Sequence, residues 1–138
     1  MQSKTMPNKK KFRCIVVDDS NFARKRISKA VVAIGGEVIG EAVDGREAID
    51  LFAKVRPEIV LMDITMPEMD GIETLKRILE KDPEAKVIMV SSVGHKEMVW
   101  KAMRIGAKHF IGKPFTPTYA WEVISSVLEG GEQCATSS

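Results

Sequence analysis

Apolar residues fall along the chain in two alternating patterns. Short, mostly β-branched blocks at residues 12–17, 38–43, 59–62, 87–90 and 109–112 predict five strands. Between and after them, apolar residues recur at helical spacing. Ala23, Ile27, Ala30, Val31 and Ile34 form one stripe, stopped by Gly35 and Gly36. Ala48, Ile49, Phe52 and Val55 form a second, closed by Pro57. Ile72, Leu75, Ile78 and Leu79 form a third, ending before Pro83. Residues 96–105 carry a weaker pattern, and residues 117–128 place Val123, Ile124, Val127 and Leu128 on a last helix.

Strands without polar alternation are buried on both faces, so the alternation predicts a parallel sheet covered by helices. Right-handed crossovers make it a doubly wound α/β sandwich. Residues 12–129 hold this whole pattern. Residues 1–11 read as a disordered basic head and residues 130–138 as a polar, flexible tail. At 138 residues the chain has room for one domain. Lys plus Arg number 21 against 19 Asp plus Glu, a net charge of +2. That balance excludes a generally polybasic nucleic-acid binder. Cys14 and Cys134 offer neither a metal cluster nor a disulfide framework, which points to a reducing, cytoplasmic setting. No apolar run is long enough for membrane insertion.

In an open α/β sheet, ligands bind outside the carboxyl ends of the strands. Asp18 and Asp19 follow strand one, Asp63 follows strand three, Ser91 and Ser92 follow strand four, and Lys113 follows strand five. Each has a mundane alternative: the aspartates and serines could cap helices or loops, and Lys113 could be a solvated charge. What they share is one rim. Three carboxylates there raise one another's pKa unless a cation joins them. Oxygen ligands without His or Cys select Mg2+, which shares phosphate oxygens readily. The three carboxylates, one divalent ion and Lys113 sum to zero charge. Such a rim has what phosphoryl transfer onto an aspartate needs: a carboxylate nucleophile, a metal, an amine and a hydroxyl.

The stretches Val16-Val17-Asp18-Asp19-Ser20, Met62-Asp63-Ile64-Thr65-Met66-Pro67-Glu68-Met69-Asp70-Gly71, Val90-Ser91-Ser92 and Gly112-Lys113-Pro114-Phe115 carry a resemblance. In order and spacing the chain resembles the receiver domains of two-component response regulators, especially the single-domain chemotaxis type. The resemblance implies the flavodoxin-like strand order 2-1-3-4-5, for which the chemotaxis regulator is itself a standard example, so the order is taken over with the family. It implies that Asp63 is the phosphoacceptor. It implies that Asp19 binds Mg2+ directly, Asp18 mainly through water, and Thr65 through its backbone carbonyl. Lys113, joined to Pro114 by a cis bond, would contact the phosphoryl oxygens, and Ser91 would turn its hydroxyl toward them. Thr65 and Val93 occupy the positions that tune the lifetime of the acyl phosphate.

Phe110 stands at the switch aromatic of strand five. With Val99, Trp100, Met103 and Val123 it makes up the expected partner face. The implied partners are a sensor histidine kinase, a downstream target such as a flagellar motor switch protein, and an acyl-phosphate phosphatase. The chain is then a monomeric signalling protein whose only catalysis is its own phosphorylation and hydrolysis. A phosphorelay intermediate or an adaptor outside chemotaxis would share this architecture. A haloacid-dehalogenase-type phosphatase would want a second Asp where Thr65 stands. His95 and His109 read as surface residues, and Met66 and Met69 as packing for the acceptor loop.

Overall fold

The computed structural model describes residues 11–66, 70–92 and 94–130. The expectations for residues 1–10 and 131–138, and for Val93 and Met69, lie outside the described residues. Strand β1 (Phe12–Val17) leads to α1 (Asn21–Ala33), β2 (Gly36–Ala42), α2 (Gly45–Val55) and β3 (Ile59–Asp63). Then come α3 (Gly71–Lys81), β4 (Val87–Ser91), α4 (Lys96–Ile105), β5 (His109–Gly112) and α5 (Pro117–Leu128). All pairings are parallel and the order is β2-β1-β3-β4-β5. The sandwich and its strand order are those expected. No helix among the described residues is long and apolar enough to cross a membrane.

Successive side chains of each strand point to opposite faces, and both faces are covered. Cys14, Val16, Leu61 and Val90 meet Ile27 and Val31 of α1 and Ile124 and Val127 of α5. Ile15, Val17, Met62 and Met89 meet Phe52, Leu75, Ile78 and Ala102 of α2, α3 and α4. Burial of the central strands on both sides explains their unbroken apolar runs.

Three local readings change. First, β2 begins at Gly36 rather than Val38 and ends at Ala42, leaving Val43 exposed. Gly36 is more than a helix stop. A Cβ there would lie 2.5 Å from the Phe12 ring and 2.7 Å from Val31, so only glycine lets the strand pass. Second, Val123 is 4% exposed and does not belong to an outer face. The inner stripe of α5 is Ala120, Val123, Ile124 and Val127, the i, i+3, i+4, i+7 set that small Ala120 completes. Third, His95 and His109 are half-buried rather than fully exposed at the surface.

Candidate functional site

Among the described residues, four of the five helices start on a side-chain cap. For α1 the cap is Ser20, whose Oγ accepts from the Ala23 amide at 3.1 Å. The helix-capping role open to Asp18-Asp19-Ser20 is therefore filled by the serine, and neither aspartate is spent on it.

Asp18 is buried, with every polar group engaged. Its amide donates to the Ala42 carbonyl at 3.1 Å. Its carbonyl accepts from Arg24 Nη1 at 2.7 Å. Oδ1 accepts from the Ser20 amide at 2.9 Å, and Oδ2 pairs with Lys113 Nζ at 3.0 Å. Asp19, the next residue, is exposed to solvent. Lys113 reaches Asp18 from the end of β5, where its amide donates to the Ser91 carbonyl at 2.7 Å and its bond to Pro114 is cis.

Asp63 ends the fully buried strand β3 and is 8% exposed. Its Oδ1 accepts from the Thr65 amide at 3.4 Å. Behind it the chain turns sharply into α3. A Cβ on Gly71 would lie 2.7 Å from the Asp63 carbonyl oxygen and 2.8 Å from Ile64 Cα, so glycine is what lets α3 start against the end of β3. Asp70 caps that helix, accepting from the Glu73 amide at 2.9 Å. Met66 is buried beside this turn.

Carboxylate oxygens of Asp18, Asp19 and Asp63 all lie within 4.8 Å of one another. Burial pushes the Asp63 carboxyl up to about 6; Lys113 opposes this, Asp18 and Asp19 add to it, and the Thr65 amide holds it down. Three carboxylates against one ammonium leave a deficit of positive charge in a half-buried recess. A hard divalent cation removes that deficit, and an all-oxygen donor set suits Mg2+.

Ser91 is buried at the end of β4, with its hydroxyl donating to the Ser92 carbonyl at 3.0 Å. The structure thus brings Asp18, Asp19, Asp63 and Lys113 together, and Ser91 sits on the same rim facing its own backbone. Of the expected outer face, Trp100 is 66% and Phe110 39% exposed. Val99 and Met103 are half-buried against the α2–α3–α4 core. The Phe110 ring is tilted 53° to that of His109, ring centroids 5.8 Å apart.

Sequence reasoning passes over two features of this rim. Arg24 is one; its signal is a cation in the opening turns of a helix whose first turn has no acidic residue, against the helix dipole. The other is a groove of about 950 Å³ between α1 and the start of α5, lined by Phe22, Arg26, Lys29, Pro114 and Phe115. Phe22 is exposed there, with the Arg26 guanidinium 5.6 Å from its ring centroid.

With this geometry in hand, comparison with known proteins is specific. The response regulator receiver domain matches residues 14–125. Chemotaxis protein CheY of Thermotoga maritima is 45% identical over 115 residues, covering 83% of this chain and 96% of the relative. Chemotaxis protein CheY of Listeria monocytogenes is 50% identical over 117 residues, covering 85% and 98%. Among solved structures, a chain of the CheX-CheY-BeF3-Mg+2 complex from Borrelia burgdorferi superposes with a TM-score of 0.80 at 38% identity, covering 85% of this chain and 89% of that one.

Proposed function

Since the chain belongs to the response regulator receiver domain family and is closely related to CheY chemotaxis regulators, we propose that it takes a phosphoryl group from a sensor kinase phosphohistidine onto Asp63 and signals by docking to a partner. The observation that carries this is the Asp63 carboxylate at the end of a buried strand, clustered with Asp18 and Asp19 and facing a rim lysine. Asp19, Asp63 and the Thr65 carbonyl would hold Mg2+, with Asp18 mainly contributing through water. The ion supplies positive charge against the carboxylates and the incoming phosphoryl oxygens.

In the transfer, one Asp63 oxygen attacks phosphorus. The P–N bond to the donor imidazole breaks, and its electron pair stays on the departing nitrogen. Lys113, now paired with Asp18, compensates the arriving phosphoryl oxygens. The Ser91 hydroxyl leaves the Ser92 carbonyl and donates to a phosphoryl oxygen instead. That movement pulls on the segment between β4 and α4 and shifts the population of the Phe110 ring. Hydrolysis reverses the switch: water attacks phosphorus, releasing inorganic phosphate and restoring the carboxylate.

The output surface is Trp100 and Phe110, rimmed by Val99 and Met103; Val123 is excluded by its burial. A flagellar switch protein is the partner type that the close relation to chemotaxis regulators favours. The test is incubation with acetyl phosphate and Mg2+, read by intact mass. The wild-type chain should gain one phosphoryl group and Asp63→Asn none. Full labelling of Asp63→Asn at another residue overturns the assignment.

A further inference from the structure

Arg24 is a cation near the wrong end of a helix dipole, yet its side chain is only 11% exposed. The guanidinium spends its donors in three directions. Nη1 binds the Asp18 carbonyl at 2.7 Å. Nε binds Glu41 Oε1 on edge strand β2 at 2.9 Å. Nη2 binds the Asn21 side-chain oxygen. The Arg24 amide also closes the first turn on the Ser20 carbonyl at 2.9 Å.

The Asp18 carbonyl belongs to the planar peptide that leads into Asp19, so gripping its oxygen fixes where the Asp19 backbone starts. Asp19 lies beyond the last paired residue of β1 and is exposed. We propose that Arg24 is a positioning residue for the divalent cation: braced by Glu41, it sets the Asp18–Asp19 peptide so that both carboxylates converge with Asp63. This rests on the reading that the acidic cluster holds Mg2+. Only a planar fork can reach these three acceptors at once; a lysine offers a point charge.

The sign of the effect separates positioning from plain electrostatics. Arg24 carries a positive charge near a cation site, so Coulomb repulsion alone makes its removal tighten Mg2+ binding. Positioning makes its removal weaken binding. The experiment is calorimetric Mg2+ titration of the wild-type chain, Arg24→Lys, Arg24→Ala and Glu41→Gln, with thermal midpoints measured with and without Mg2+. Arg24→Lys keeps the charge and should bind about tenfold more weakly, the scale of outer-shell losses at metal sites. Arg24→Ala should lose at least as much and Glu41→Gln less. A merely structural Arg24 would lower both midpoints equally, whereas positioning also shrinks the rise that Mg2+ produces. Should Arg24→Ala fail to fold, Arg24→Lys decides. Wild-type affinity or tighter in the Arg24 variants overturns the proposal and leaves the metal site standing. Absence of Mg2+ binding by the wild-type chain overturns both.

Discussion

Asp18, at the end of β1, has its amide, its carbonyl and both carboxylate oxygens engaged by four different parts of the chain. Ser91, at the end of β4 on the same rim, turns its hydroxyl to the carbonyl of the very next residue. The helices that follow differ in the same sense. Ser20 caps α1, whereas α4 starts at His95 without a side-chain cap, and the Nδ1 of His95 is buried with no hydrogen-bond partner among the described residues. Helix α4 fully buries only Ala102, whereas α1 buries Ile27, Ala30 and Val31. One side of the rim is cross-linked and the other is lightly held. A switch needs both: a fixed place for the chemistry and a neighbouring element whose alternative arrangement costs little.

The comparison can be broken most forcefully at Asp63. Because the Asp63 carboxyl is pushed up to about 6 in the fold, the metal-free folded state holds its proton more tightly than the unfolded chain. Its contribution is present below the unfolded pKa and lost as pH rises through about 6. Metal-free wild-type protein should therefore lose about 2.4 kcal/mol relative to Asp63→Asn between pH 4 and pH 7, because at pH 4 the unfolded carboxyl is already partly ionised. Urea denaturation at the two pH values measures it. A difference between the two proteins that is flat with pH would remove the upward shift assigned to this carboxylate.

Next in size is Lys113→Ala. It strips a buried Asp18 of its partner, and because Lys113 is itself 24% exposed the loss is discounted to about 2 kcal/mol without metal. Mg2+ should restore part of it. Undiminished stability would mean the cross-linked side is held by its backbone contacts alone.

A smaller change sharpens the other half. His95→Ser supplies the missing cap and removes the unpartnered ring nitrogen, so it should add about 1 kcal/mol and slow hydrogen exchange across α4. Unaltered exchange there would show that the start of α4 is held by something other than its cap. The slightest expected effect is optical. In a Trp121→Phe background, beryllofluoride with Mg2+ should shift Trp100 emission modestly; an identical spectrum would detach the outer face from the site.

The parts of this design legible in the sequence are those fixed by position along a strand. Asp18, Asp63, Ser91 and Lys113 each follow an apolar block, and parallel pairing carries every block end to one edge. What escapes a reading of the chain depends on contacts between distant segments. The role of Arg24 needs Glu41 and the Asp18 carbonyl in place, neither of which a stripe of residues announces. Gly71 reads as a turn signal, but its reason is the backbone of Asp63 and Ile64 pressed against it. Periodicity misplaces Val123 because Ala120 is small enough to go uncounted in an apolar stripe although it is almost fully buried. The direction of the Ser91 hydroxyl is a rotamer, on which sequence is silent.

The parallel sheet has one more consequence, for engineering. Strand β1 enters at the amino edge of the sheet, and α5 returns from the carboxyl edge to that same amino edge before Gly130. Both ends of the folded unit thus emerge on the side away from Asp63. A reporter or a second module fused at either end would start from the blind side of the molecule, leaving the mouth of the acidic cluster unobstructed.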